Sequence, residues 1–420
     1  MKKRILLQCV FLIIGIILIF SMPAFGQIDE NYRENRKKAY EANSAAECKA
    51  SLKFCNEALK AVPNHPVHYY LSARLNEQLG NNDLAFKQLK KATKLGYSTK
   101  MLFHEIHQLN DTAFIALRDK EAFKEIIEIM KESEKPVHKS QIAFTISDKE
   151  LNPEGIAYDP VEKMFYLGSL NNHKIIKVDP IGKCTDFINE GQEGLNRIMG
   201  IHVDPIRRIL WAASFAEERN EVLKYNLSSG KLIRKYFFPP DGINHNFNDL
   251  VIHPNGDIYI SGGCSIYTIP QFSDKLELFL KSNSFAGLNG ITLSDDGRVI
   301  YVSDYFIGIY KIDIQTKSFS LMSHEPGFNP FGVDGLYFSN NHLYAVQDVL
   351  NTIDSFSLNE DATHIESCEI FERNSPYLYK PTTGVIVDDY FYFIADTQGK
   401  AYRQEGVIVM KTSIKQNLKY

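Results

Sequence analysis

The sequence predicts a small all-α domain followed by an all-β six-bladed propeller. Two observations carry this reading. The apolar spacing changes from helical to strand-like near Lys139, and a strand-opening unit recurs six times beyond that point. A chain of 420 residues is also too long for one ordinary core, which favours more than one domain. Its 22 Tyr and 27 Phe suit sheet-rich structure. A net charge of −4, with no basic excess, gives no support for nucleic-acid binding.

The N-terminus reads Lys2-Lys3-Arg4, then an apolar run from Ile5 to Phe20, then small residues at Ala24 and Gly26. These are the three parts of a secretory signal, with cleavage expected after Gly26 (residues 1–26) and a periplasmic or secreted destination. The competing reading is an uncleaved anchor, the one route by which the sequence would bring the chain to a membrane. Beyond this segment remain Cys48, Cys55, Cys184, Cys264 and Cys368. An odd number at scattered spacing is no disulfide framework, and the five read as small buried hydrophobes.

Residues 30–132 carry helical spacing, with helices expected over Ala46–Val62, Val67–Leu79 and Leu84–Leu95. Asn56-Glu57-Ala58-Leu59-Lys60 and Lys90-Lys91-Ala92-Thr93-Lys94 place equivalent alanines 34 residues apart, with Tyr69-Tyr70-Leu71-Ser72-Ala73 between them. This pattern resembles tetratricopeptide repeats, which implies a possible protein partner bound through the helical domain. The competing reading is a helical appendage packed on the propeller. Residues 133–139 form a linker.

From 140 to 413 the propeller unit opens with one residue, then Gly or Asp, then an alternating apolar strand. The openings are Glu154-Gly155, Met199-Gly200, Asn248-Asp249, Asn289-Gly290, Asp334-Gly335 and Thr383-Gly384, at intervals of 45, 49, 41, 45 and 49 residues. Such spacing suits four-stranded blades. Second strands follow, such as Ile209–Ala213 and Leu343–Val346, after turns such as Pro254-Asn255-Gly256. The strand Ile142–Ile146 precedes the first opening and is expected to complete the last blade, closing the ring.

Innermost strands line the channel of a propeller, so the six opening residues should meet at one rim. Glu154, Asn248, Asn289 and Asp334 are oxygen donors: two carboxylates and two carboxamides. They predict a divalent-cation site for Ca²⁺ or Mg²⁺. Asn-Gly and Asp-Gly are also common turn dipeptides chosen for their backbone angles, which is the plainer account of each one alone. A shared phase in the repeat is what turn chemistry does not require.

Asn152-Pro153-Glu154-Gly155, Phe247-Asn248-Asp249, Leu288-Asn289-Gly290-Ile291 and Val333-Asp334-Gly335-Leu336 resemble the senescence-marker-protein/gluconolactonase family, more distantly related to paraoxonases. The resemblance covers about 140 to 413. It implies Glu154, Asn289 and Asp334 as direct metal ligands and Asn248 as a metal or substrate contact. It also implies a calcium- or zinc-dependent hydrolase of lactones or related esters. Met199 stands where paraoxonases carry a catalytic histidine, which is a departure.

On this reading Asp334 activates water or attacks directly while Glu154 holds the metal. His245 is a candidate base or substrate contact. His324, Phe328 and Asn329 before blade V, and Tyr377 and Lys380 before blade VI, are candidates for substrate binding because loops over a mouth supply specificity. A non-catalytic propeller with a structural metal, serving as a ligand- or protein-binding module, remains the alternative.

Overall fold

The computed structural model describes residues 32–42, 44–98, 114–216, 219–239, 245–396 and 406–415. The signal-like segment and its cleavage point lie outside them. Among the described residues no helix is long and apolar enough to cross a membrane.

Among the described residues five helices come first: α1 (Tyr32–Glu41), α2 (Ala45–Ala61), α3 (Pro66–Gln78), α4 (Asn82–Lys94) and α5 (Glu121–Ser133). Local chemistry fixes their ends. Ser44 and Glu47 form a reciprocal capping box at the start of α2, and Pro66 opens α3, where its missing N–H costs nothing. Gly80 and Gly96 follow α3 and α4 with positive φ.

Six sheets of at least four strands follow. Their inner strands are Pro153–Asp159, Arg197–Asp204, Leu250–Ile252, Leu288–Leu293, Val333–Ser339 and Gly384–Val387, which open blades I to VI. Each inner strand packs beside the next, and Gly384–Val387 returns to Pro153–Asp159, so the ring is closed. Blade VI is completed by Gln141–Ile146, which pairs antiparallel with Val407–Ser413. The first propeller strand thus latches the last blade, as its sequence position predicts. The linker also contributes: Val137–His138 adds a strand to the outer edge of blade V, pairing with Arg373 and Glu372.

The blades meet through glycine. A Cβ on Gly155 would lie 2.5 Å from the Met199 carbonyl, and one on Gly290 would lie 2.5 Å from both Asp334 O and Leu336 N. Gly200 donates its N–H to Asn248 O at 2.8 Å, and Gly335 abuts Thr382. None of these glycines has a positive φ. The expectation that turn angles select them is therefore corrected: the residue after these four openers is small because the next blade's backbone touches it.

The helices are not a separate body. Val67, Leu71, Leu75, Leu89 and Met130 share one core with Phe331, Val349 and Leu350 of the propeller. Tyr32, Ala58, Ala61 and Val62 join the core of blade IV beside Phe285, Ile300 and Tyr310. His65 Nε2 lies 2.7 Å from Phe306 O, and Arg36 sits over the Phe306 ring. Phe285, Phe306, Phe331, Val349 and Leu350 belong to loops on the face where inner strands begin, whereas Ile300 and Tyr310 are strand residues of blade IV. The packing is that of the appendage reading. The cysteine expectation needs correction, because only Cys48 and Cys55 are buried, whereas Cys264 is exposed; all five are free thiols.

Gly290→Ala should cost about 1–3 kcal/mol in urea unfolding, because its Cβ meets backbone that cannot rotate away. An unchanged midpoint would show that the blades do not close in this way.

Candidate metal centre

Four of the inner strands carry a register break at the opening residue: between Pro153 and Gly155, Ile198 and Ile201, Leu288 and Ile291, and Val333 and Gly335. A bulge of this kind bends the strand and re-aims a side chain. Here it falls on Glu154, Met199, Asn289 and Asp334. All six opening residues line one axial cavity of about 20 Å³, together with Asp249 and Thr382. That is room for about one ion or water.

Among the described residues, no lysine, arginine or histidine lines this cavity. Asn289 Nδ2 donates to Asp334 Oδ1 at 2.5 Å and fixes that carboxylate. Among the described residues, Glu154 Oε2 is buried with no hydrogen-bond partner, as is Thr382 Oγ1. Thr383 is turned aside, its hydroxyl 2.7 Å from Tyr337 OH. Burial pushes the Glu154 carboxyl up to about 8, with Asp348 adding repulsion. Burial also holds Asp334 well above the usual carboxylate range, and the charges of Glu154 and Asp348 act in the same direction.

Two acids with raised proton affinity, an orphaned carboxylate oxygen and an all-oxygen donor set together fit a hard divalent cation. Among the described residues no group of three or more His, Cys, Asp or Glu is placed to hold a metal, so the set depends on its two carboxamides. Asn248 lines the cavity and has its backbone N–H on Ser261 O. Asn289 has its carbonyl on the Ser261 hydroxyl.

The loop candidates lie elsewhere. His245 Nδ1 is 2.6 Å from Tyr267 OH and its ring packs on Phe238, within blade III and its flanking loop. His324 joins the parallel pairing along the outer strand of blade V, its Nδ1 on Glu325 O. Tyr377 is exposed in the loop before blade VI. None of the three lines the axial cavity. Phe328 and Asn329 line a different cavity of about 140 Å³, between the helices and blade V.

Sequence reasoning missed four features. Asp249 takes the place of glycine in blade III; burial pushes it up to about 7, although it accepts the Leu250 N–H at 2.8 Å. Its departure from the glycine pattern was the available signal. Asp348 follows the second strand of blade V, held by Tyr305 OH at 2.7 Å. Thr382 precedes its opener by one residue. Lastly, an open groove of about 780 Å³ over blades I and II runs to Glu154, lined by Asn152, Asn171, His173, Arg197 and Phe215.

No family model matches the chain, and no curated protein matches it. Solved structures with similar folds include a gluconolactonase from Xanthomonas campestris, at 13% identity and a TM-score of 0.49 over 64% of this chain and 88% of that one. A calcium-binding regucalcin from Agrobacterium tumefaciens shows 16% identity and a TM-score of 0.48, over 64% and 93%. A quinone-bound aldose sugar dehydrogenase from Streptomyces coelicolor shows 12% and 0.49, over 65% and 97%. The likeness is one of fold alone.

Because the folded state binds protons at Glu154 that the unfolded chain releases, metal-free protein should lose stability as pH rises from about 4.5 to about 8. Thermal melts in chelator should show this fall, and calcium should reverse it. Glu154→Gln should flatten the profile; an unaltered slope would count against the burial of that charge.

Proposed function

We propose that the chain is an exported, metal-dependent hydrolase of the gluconolactonase type that opens lactones or related esters. One observation carries the reading: Glu154, Asn248, Asn289 and Asp334, scattered over 180 residues, line a single cavity with no cationic side chain among the described residues. These four would hold the cation. Ca²⁺ suits the all-oxygen set best, Mg²⁺ also fits it, and Zn²⁺ would find none of the nitrogen or sulfur ligands it usually takes. When bound, the cation supplies Lewis-acid polarisation of the ester carbonyl.

The chain's own groups do the rest. The groove over blades I and II admits a substrate to the side of Glu154, since the helices pack over blades IV and V. Asp334, oriented by the Asn289 amide, takes a proton from water as the remaining hydroxide adds to the carbonyl carbon. The ring C–O bond then breaks, and the same proton passes to the departing oxygen, leaving a hydroxy acid. Asp348, held by Tyr305, and Asp249 raise the negative potential around Asp334 and favour its taking that proton. Arg197 and His173, on the groove wall, are placed to orient the substrate's polar groups. Export rests on the charged, apolar and small-residue order of residues 1–26.

Purified protein should open aldonolactones or aryl esters, and chelator should abolish turnover. Asp334→Ala should lose at least about 100-fold in kcat while keeping its circular dichroism. A folded, metal-loaded protein that is silent across such a panel would instead favour a binding module with a structural cation.

A further inference from the structure

Four of the most exposed large apolar side chains crown turns on the face opposite the mouth. They are Val161 (67% exposed), Ile181 (84%), Ile206 (82%) and Phe272 (93%). Three of the turns share one sequence: Asp159-Pro160-Val161, Asp179-Pro180-Ile181 and Asp204-Pro205-Ile206. In each the Asp Oδ1 accepts the N–H of the apolar residue, at 3.0, 3.0 and 3.1 Å. Turn chemistry accounts for the Asp and the Pro. Nothing in it calls for a bulky β-branched side chain in water at the third position.

The tips form a connected arc across blades I to III. Glu162, beside Val161, pairs with Lys177 at 2.5 Å, close to the Ile181 turn. Arg208, beside Ile206, pairs with Asp159 and Glu162, both at 2.7 Å. Arg207 donates to Pro254 O at 3.1 Å and lies against Gly256, where Gln271, the neighbour of Phe272, also packs. These links fix the turns to one another.

Within three residues of a tip lie five acids and five basic residues, and they differ in how they are held. Four of the acids are answered by cations, Asp159 and Glu162 by Arg208, Asp204 by Arg207, and Asp274 by Arg234, while Asp257, beyond that range, accepts from the Asn255 amide and the Gln271 N–H. Asp179 accepts the backbone N–H groups of Ile181 and Lys183. Lys163, Lys183 and Lys275, within three residues of a tip, have no ion pair among the described residues. We propose that this face docks on an anionic phospholipid bilayer, with the four tips inserted between headgroups and the three lysines on lipid phosphates. A rigid protein partner needs a continuous complementary area, whereas these side chains are separated by hydrated turns; a fluid bilayer accepts separate wedges. Docking so leaves the mouth, on the other face, open to water. The proposal does not depend on the axial chemistry.

Trp211 is the single tryptophan and is buried, so a Trp211→Phe/Phe272→Trp chain reports on one tip. With vesicles containing phosphatidylglycerol its emission should shift to the blue and be quenched by brominated acyl chains. In co-sedimentation, the full chain carrying Ile181→Ser, Ile206→Ser and Phe272→Ser should bind these vesicles at least about ten-fold more weakly than the wild type. Unmoved emission, or equal binding by the triple variant, would overturn the proposal. So would a wild-type dimer in sedimentation equilibrium that the triple variant loses, with no quenching by lipid, since a second copy would then be the occupant.

Discussion

The central constraint is negative charge that the protein does not answer itself. Glu154 and Asp334 are brought to one small cavity by the inner strands of blades I and V, and among the described residues no basic side chain accompanies them. Like charges buried together are unfavourable unless a proton or a cation intervenes. The surrounding structure preserves this arrangement: bulges aim the side chains inward, and Asn289 holds Asp334 by its amide nitrogen. Glycines let adjacent blades approach closely enough for the openers to meet.

Much of this was legible from the sequence because a propeller repeats. The phase of Glu154, Asn248, Asn289 and Asp334 within a repeat of about 45 residues placed them at one rim before any coordinates. The latch strand was readable for the same reason, as an unpaired strand preceding the first opening. What periodicity could not show was anything outside the repeat's phase. Asp348 sits one strand outward, and only the pleat and pairing of blade V bring it near the axis. His245, His324 and Tyr377 were selected for lying in loops near openers, but a loop's position does not fix where its side chains pack. His245 is drawn to Tyr267, and His324 to the edge of blade V.

The helical unit shows the limit of repeat likeness differently. Its helices form near where the apolar spacing puts them, and the 34-residue period is present in the sequence. Their apolar surface is nevertheless covered by Phe331, Val349 and Leu350, and by the blade IV core. The helices thereby brace the mouth side of blades IV and V and leave the groove over blades I and II as the open approach to Glu154. Period alone says that helices will stack, not what they will stack against.

The most direct test is elemental analysis of the protein after equilibration with calcium and removal of free ion, beside Glu154→Gln and Asp334→Asn. The account predicts one calcium per chain in the wild type and little in either variant, with all three folded. Wild-type protein that retains no divalent cation, or variants that retain it in full, would contradict it.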